Sequence, residues 1–329
     1  MADNPFDTLM EISMGFTLPR TLQVVAELGI ADALDDAPRA AAELASATGT
    51  NAGAINRALR LLSAHGVFHL EGSSFSHTAA SRLLRSDNPM SMRPFVRMQG
   101  IPALWHIWEH MDHTLRTGRS GAEKTMPNGF WGYFGEHPEH SQLFNDAMTG
   151  KTHGQTAGIL AAYDFSKFHT FADIGGGNGH LLQAVLGATP NLEGVLFDMP
   201  HVIEQSSAIA SSRLKLHPGS FFEDGLPVCD AYFMMQILHD WSDEESEKIL
   251  KSIRKAAPPH SKLLLAEWLL PEDGKPSWTL FVDMIMMTEL TGKERTEGEF
   301  RLLLERGGFR LDRVIDAGFH TFILEASAI

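Results

Sequence analysis

The stretch Asp173-Ile174-Gly175-Gly176-Gly177-Asn178-Gly179 follows a short apolar segment and precedes the helical sequence from His180 to Leu186. Glycine lets a backbone pass close to a ligand and takes a positive φ, which a Cβ atom hinders. A strand, a glycine-rich turn and a helix in this order are typical of a cofactor site at the carboxyl end of a parallel strand. A structural turn that holds no ligand is the alternative.

The spacing of the glycines separates two classes of cofactor. Dinucleotide-binding enzymes use G-x-G-x-x-G, in which the third glycine packs the helix against the strand. Gly175, Gly177 and Gly179 instead form G-x-G-x-G, and the next position is His180. The pattern therefore disfavours a dinucleotide, and it resembles the turn that wraps the methionine part of S-adenosylmethionine, a cofactor without a phosphate.

Short apolar strands alternate with helices beyond Phe168. This alternation predicts an α/β fold, a mostly parallel sheet with helices on both faces. The five strands that it predicts are Phe171–Ile174, Gly194–Phe197, Leu214–Leu216, Ala231–Met235 and Leu263–Ala266.

Two polar residues follow predicted strands. Asp198 comes 19 positions after Gly179, about where an acid accepts hydrogen bonds from ribose hydroxyls, although it could instead cap the strand before Pro200. His239 follows the apolar run 231–238, at the edge of the sheet where an imidazole of pKa near ~6.5 is well placed as a base. A histidine at a strand end is otherwise most often a structural residue.

The N-terminal part reads as helices followed by a hairpin, the order of a winged helix. Asn51 is the predicted N-cap of a helix, and residues 65–70 alternate like a strand. A DNA-binding regulator is the natural alternative, but the segment 20–89 holds six basic and seven acidic residues and so lacks a basic surface for phosphates. An interface with a second subunit is the favoured interpretation.

Composition excludes several other classes. The formal net charge of −14 repels nucleic acid and anionic membranes, and Cys229 is the one cysteine, so a disulfide is impossible and a cysteine-based zinc site is short of ligands. The start, Met1-Ala2-Asp3-Asn4-Pro5, lacks the pattern of an export signal, and no apolar run approaches the ~20 residues of a membrane helix. We expect a cytoplasmic enzyme without a metal.

Several motifs together identify a family resemblance that spans nearly the whole chain. The sequence resembles the plant caffeic-acid and flavonoid O-methyltransferases and their bacterial relatives that modify natural products such as polyketides and phenazines. The motifs are 173–179, Phe197-Asp198-Met199-Pro200-His201, Leu238-His239-Asp240-Trp241-Ser242-Asp243-Glu244, Ala266-Glu267 and Gly292-Lys293-Glu294-Arg295-Thr296.

The resemblance implies two domains and a dimer. Residues 1–95 would form a helical, winged-helix-like dimerisation domain. Residues 96–329 would contain linking helices and a Rossmann-like methyltransferase domain with a mostly parallel seven-stranded sheet. The substrate would lie between the two, and the protein would be a homodimer that binds neither nucleic acid nor membranes.

The resemblance also implies roles for site residues. His239 would be the general base, and Glu267 and Glu294 would flank it, one of them orienting the imidazole. Asp173, Gly175 and Gly177 would line the methionine portion of S-adenosylmethionine and Asp198 its ribose, while Phe221 and Trp241 would face the adenine. Many relatives have an aspartate where this chain has Ser220, which leaves an uncharged contact to the adenine.

The expected acceptor is a small aromatic compound with a phenolic hydroxyl. The family's Phe-Asn-x-x-Met segment matches Phe144 and Met148, and a second methionine matches Met286. Aromatic rings and soft methionines suit a flat ring, although packing between helices explains them equally well. A relative that uses the same fold for hydroxylation or decarboxylation is the alternative within the enzyme class.

Overall fold

The structure is a computed structural model that describes residues 4–223 and 225–329. Met1, Ala2 and Asp3, on which part of the export-signal prediction rests, lie outside the described residues, as does Asp224. The chain divides into two compact units. The N-terminal unit runs to Trp105 and includes Asp146–Lys151, and the C-terminal unit comprises His106–Asn145 and Thr152–Ile329. The predicted domain boundary at residues 95 and 96 stays a proposal.

The N-terminal unit combines helices with a small antiparallel sheet. Its helices are α1 (Pro5–Met14), α2 (Thr17–Glu27), α3 (Ile30–Ala33), α4 (Ala41–Thr48), α5 (Ala52–Ala64), α6 (Ala79–Arg82) and α7 (Arg93–Met98), and its strands are β1 (Arg39–Ala40), β2 (Phe68–Glu71) and β3 (Ser74–His77).

The predicted winged-helix arrangement is confirmed in this unit. The strand order is β1-β3-β2, and the Asn51 side chain accepts the Ala54 N–H at the start of α5, as the N-cap prediction requires. Fully buried Leu34, Leu59 and Phe75 belong to the core that these elements share.

The remaining elements follow in chain order. The helices are α8 (Pro102–Trp108), α9 (Met111–Thr117), α10 (Ala122–Thr125), α11 (Gly129–Glu136), α12 (Pro138–Ala162), α13 (His180–Ala188), α14 (Pro200–Gln205), α15 (Asp243–Ala256), α16 (Trp278–Glu289) and α17 (Glu297–Arg306). Single 3₁₀ turns occupy Ser207–Ile209 and Leu238–Asp240. The strands are β4 (Thr170–Ile174), β5 (Glu193–Asp198), β6 (Leu214–Pro218), β7 (Ala231–Met235), β8 (Lys262–Glu267), β9 (Phe309–Asp316) and β10 (Phe322–Ala328).

The C-terminal unit is built on the predicted seven-stranded sheet, with the order β6-β5-β4-β7-β8-β10-β9. The first five strands of this order are parallel, and β10 pairs antiparallel with both β8 and β9. All five strands predicted from the sequence are present. Because β5 and β7 flank β4 on opposite sides, the strand order reverses beside β4, where open α/β sheets bind their ligands.

The carboxyl ends of the parallel strands carry polar residues, while the central strands β4, β7 and β8 are almost entirely buried. β7 is fully buried from Ala231 to Met234, as expected of an interior strand covered by helices. Among the described residues, the longest apolar stretches fall short of what a helix needs to cross a membrane.

Candidate functional site

The glycine turn after β4 has an unusual backbone. Gly175, Gly177 and Gly179 have φ values of +72°, +56° and +69°, which residues other than glycine rarely adopt. A Cβ atom on Gly175 would lie 2.6 Å from Cδ1 of Ile237, so this position is also sterically closed. A Cβ on Gly177 would instead meet only Oδ1 of Asn145, at 3.8 Å, so the backbone there can be approached by a ligand.

Two aspartates at adjacent strand ends border the turn. Asp198 accepts the N–H of Gly177 at 2.8 Å and that of Met199 at 2.7 Å. Burial raises the pKa of Asp198 to about 6. Burial, with the negative charge of Asp198, raises the pKa of Asp173 to about 7, and the buried Oδ2 of Asp173 has no hydrogen-bond partner among the described residues.

These groups fit S-adenosylmethionine. The open face of Gly177 accommodates close approach of a ligand, and the orphaned Asp173 oxygen is a buried acceptor of the kind that native proteins usually satisfy. Each carboxylate oxygen of Asp198 retains a lone pair beyond its bond to the backbone, as a ribose diol requires.

The predicted adenine residues lie together. The rings of Phe221 and Trp241 have centroids 5.7 Å apart and are perpendicular, so they meet edge to face rather than as two parallel walls. Phe222, which the sequence analysis did not select, lies 4.8 Å from Trp241. The Oγ of Ser220 accepts the Phe222 N–H at 3.3 Å, which places this hydroxyl within the same turn. The contact of Ser220, Phe221 and Trp241 with adenine stays a prediction.

His239 lies in the 3₁₀ turn that follows β7 and is 5% exposed. Its Nδ1 is 2.7 Å from Oε1 of Glu294, and its Nε2 is 3.4 Å from Oδ1 of Asp240. Glu267, at the end of β8, is also fully buried nearby. Burial disfavours the charged imidazole, but the negative charges of these three acidic residues outweigh it and raise the pKa of His239 to about 9.

The two predicted glutamates make different contacts. Glu294 binds the imidazole, whereas Oε1 of Glu267 accepts the backbone N–H of Leu238 at 3.1 Å. Burial and the charges of Glu294 and Asp240 raise the pKa of Glu267 to about 7. The second oxygen of each glutamate is buried without a hydrogen-bond partner within residues 4–223 and 225–329.

The predicted acceptor residues fall in both units. Phe144 belongs to an aromatic cluster of the C-terminal unit, with its ring 5.6 Å from Trp131 and 4.9 Å from Phe134. Trp131 is in turn stacked near Trp241, at 6.4 Å between centroids. Met286 is a buried residue of α16. Met148 lies in the part of α12 that belongs to the N-terminal unit.

Sequence reasoning missed Asp240 and Arg295 as site residues, although both belong to the quoted motifs. Asp240 is the immediate neighbour of the predicted base, which was a usable signal. Arg295 is adjacent to Glu294, and its buried side chain contacts the turn that carries His239. Asp283 of α16 was not singled out either, and its Oδ1 accepts the backbone N–H of Glu294 at 2.9 Å.

A seven-stranded sheet of this order, with a glycine turn, strand-end acids and a buried histidine, defines a Rossmann-like methyltransferase. The O-methyltransferase domain family matches residues 108–310, and the O-methyltransferase dimerisation domain family matches residues 10–87. The chain therefore belongs to the O-methyltransferase family, and it is an S-adenosylmethionine-dependent enzyme.

Individual relatives match over almost the full length. The chain is 38% identical over 327 residues to the phenazine O-methyltransferase PhzM of Lysobacter antibioticus, covering 98% of this chain and 96% of that protein. It is 37% identical over 319 residues to the mitomycin biosynthesis 6-O-methyltransferase of Streptomyces lavendulae, covering 95% and 91%. The solved structure of NcsB1 from neocarzinostatin biosynthesis, in complex with S-adenosylmethionine and 2-hydroxy-5-methyl naphthoic acid, has a TM-score of 0.80 and 29% identity over 94% of this chain and 96% of that one.

Proposed function

We propose that this enzyme methylates a phenolic hydroxyl of a small aromatic metabolite, with His239 as the general base. The observation that carries the proposal is the buried contact of 2.7 Å between His239 Nδ1 and Glu294 Oε1. A carboxylate on Nδ1 favours the tautomer that carries its proton there, which leaves Nε2 as the acceptor for a second proton.

Bound S-adenosylmethionine would supply an electrophilic methyl group, whose bond to the sulfonium sulfur would break to release S-adenosylhomocysteine. His239 Nε2 receives the proton that the acceptor hydroxyl releases as its oxygen forms the new bond to carbon. Glu294 and Asp240 stabilise the imidazolium that results. A pKa of about 9 for His239 is close to the ~10 of a phenol, so this proton transfer is nearly balanced.

The cofactor site would comprise the turn after β4 and the ends of β4 and β5. Gly175 and Gly177 would contact the methionine portion beside Asp173, and Asp198 would accept from the ribose. Ser220, Phe221 and Trp241 would contact the adenine, with Ser220 as the neutral partner for its edge. The contacts within each group support this assignment.

The acceptor assignment rests on the aromatic cluster and on the relatives. Phe144 and Met286, both in the C-terminal unit, offer flat and polarisable surfaces, and the contact of Met148 with the acceptor stays a prediction. The names of the relatives refer to phenazine and mitomycin compounds, and a naphthoic acid is bound in NcsB1. We therefore infer a hydroxylated fused-ring or single-ring aromatic acceptor.

The enzyme would act as a homodimer formed through the N-terminal unit. The match to a dimerisation domain supports this, and so does α1, which has no buried residue although Phe6, Leu9 and Ile12 are all apolar. Apolar side chains exposed together in this way mark an interaction surface.

A screen of hydroxylated phenazines, naphthoates and benzoates with methyl-labelled S-adenosylmethionine tests the function. We expect labelled methyl ether and S-adenosylhomocysteine in equal amounts from at least one phenol. His239→Ala should lower kcat by about 10²- to 10⁴-fold while binding of S-adenosylhomocysteine is retained. His260→Ala is the matched control, because this exposed histidine pairs with Asp230 at the opposite end of the sheet strands.

Two outcomes would contradict the proposal. Wild-type turnover by the His239→Ala variant would show that alignment alone suffices and that no base acts there. Consumption of an aromatic compound with no methyl transfer, as hydroxylation or decarboxylation would give, would overturn the methyltransferase reaction itself.

A further inference from the structure

Arg295 is a fully buried cation that the proposed chemistry does not use. It is 0% exposed, and its guanidinium packs over the ring of Phe300 at 5.9 Å. The Nε donates to Oδ1 of Asp243 at 2.9 Å, which balances the charge. Burying an arginine costs free energy that its partners must offset, so these contacts indicate a specific role.

The remaining donors of Arg295 bind the backbone on both sides of His239. Nη1 donates to the carbonyl oxygen of Leu238 at 2.7 Å, and Nη2 donates to that of Trp241 at 2.8 Å. These two carbonyls bracket the pair His239–Asp240. One planar group therefore holds both ends of the turn that carries the base.

The same turn is fixed from two other directions. Glu267 accepts the N–H of Leu238, so Leu238 is held at its nitrogen by an acid and at its oxygen by Arg295. The backbone oxygen of Arg295 accepts the Leu270 N–H at 2.9 Å, which joins the segment carrying Glu294 to the segment that follows Glu267. The backbone of Arg295 thus links the segment that carries Glu294 to the segment that follows Glu267.

We propose that Arg295 is a positioning residue for the methyl transfer: by spanning the Leu238 and Trp241 carbonyls it fixes the direction of His239 Nε2. The inference rests on the proposed function, in which His239 is the base. A small displacement of a catalytic group, from a change outside the reacting atoms, lowers turnover by up to about 10²-fold.

The shape of the Arg295 guanidinium, rather than its charge, allows it to hold both ends of the turn. The guanidinium presents five donors in a fixed plane, and Arg295 distributes them over two backbone carbonyls and Asp243. A lysine keeps the positive charge beside Asp243 but donates from a single nitrogen, so it does not span both carbonyls. Arg295→Lys therefore separates the two properties.

The experiment compares Arg295→Lys with the control Arg301→Lys. Arg301 is half-exposed and pairs with Glu297 on the surface of α17. Turnover is measured with the phenol selected by the screen, and affinity for S-adenosylhomocysteine is measured by calorimetry. The pH titration of His239 is followed by NMR on histidine-labelled protein with S-adenosylhomocysteine bound, and its signal is identified by its loss in His239→Asn.

Arg295→Lys should lower kcat by about 10- to 100-fold while KM and the S-adenosylhomocysteine affinity stay within about twofold. The NMR pKa of His239 should also fall, because a displaced imidazole loses part of its contact with Glu294. Arg301→Lys should change none of these. Wild-type kcat and an unchanged His239 titration in Arg295→Lys would overturn the positioning role.

A second variant decides the case in which Arg295→Lys does not fold. The Ser246 hydroxyl donates to the same carbonyls of Leu238 and Trp241, at 3.2 and 3.3 Å, so Ser246→Ala should lower kcat and shift the His239 titration in the same direction, by less. An unchanged Ser246→Ala would then overturn the inference. If His239→Ala keeps full turnover, the general-base proposal fails independently of either result.

Discussion

The carboxylate of Glu294 contacts His239 at Nδ1, at 2.7 Å, and both side chains are almost completely buried. Glu267, the other glutamate expected to flank the base, contacts backbone instead, through the N–H of Leu238. The two acids would therefore act on the proposed base, His239, by different physical means. Glu294 sets the charge and tautomer of the imidazole, while Glu267 helps to hold the turn.

This difference predicts unequal effects of removing each charge. Glu294→Gln should lower kcat by about 10²- to 10⁴-fold, because the amide no longer stabilises the imidazolium. Glu267→Gln should lose less than about tenfold, since the amide oxygen can still accept from Leu238. Steady-state kinetics with the screened phenol measures both. Equal losses in the two variants would contradict the assignment.

The raised pKa of His239 predicts the pH dependence of the reaction. The imidazole must be neutral to accept a proton, and its pKa of about 9 keeps it protonated in the free enzyme at neutral pH. As pH rises toward 9 the active form becomes more abundant, so kcat/KM should increase about tenfold per pH unit well below that value.

Charge removal supplies the control for this pH profile. Glu294→Gln removes the largest of the attractions that raise the pKa of His239, so the ascending limb should move to lower pH while its plateau falls. The buried acids Asp240 and Glu267 remain and keep part of the upward shift. A limb that is flat between pH 6 and 8 in wild-type protein would show that proton removal does not limit kcat/KM.

The sequence predicted the five parallel strands because they depend on local pattern, and it placed the candidate site at their carboxyl ends. Apolar runs between helices marked β4 to β8, and each polar residue at a strand end fell at one edge of a parallel sheet. The local pattern did not predict the bounds of β9 and β10. In β9 the alternation of buried and exposed residues is imperfect, with Arg310, Asp312 and Arg313 exposed. The antiparallel pairing of β10 with β8 joins distant parts of the chain and has no short-range signal.

The different contacts of Glu267 and Glu294 could not be predicted from the sequence, for a different reason. The family resemblance implied that Glu267 and Glu294 flank the proposed base, but which one contacts the imidazole depends on the path of the backbone between Glu267 and Arg295. The role of Arg295 likewise follows from two carbonyl oxygens, which no residue type encodes. Side-chain chemistry was predictable, and backbone acceptors were not.

The open face of Gly177 predicts a variant that separates stability from cofactor binding. Gly177→Ala adds a methyl group with no near neighbour, so its cost to stability is mainly the positive φ, about 1–2 kcal/mol. Gly118→Ala is matched, because Gly118 has φ +69° with nothing within 4 Å. Both should lower Tm by similar amounts, but only Gly177→Ala should weaken binding of S-adenosylhomocysteine, by about tenfold or more in calorimetry. Equal affinities of the Gly177→Ala and Gly118→Ala variants for S-adenosylhomocysteine would show that the cofactor does not approach Gly177.

Helix α1 predicts how dimerisation can be broken. An isolated helix of its length is marginal in water, and all of its residues from Pro5 to Met14 are exposed in the single chain, so we expect a second copy to cover its apolar side chains. Leu9→Asp places a charge on this surface and should shift the protein from dimer to monomer in sedimentation velocity. Leu115→Asp is the matched control, because Leu115 is also 67% exposed but lies in α9. An unchanged dimer in Leu9→Asp would exclude α1 from the interface, and a monomeric Leu115→Asp variant would place the interface in the C-terminal unit instead.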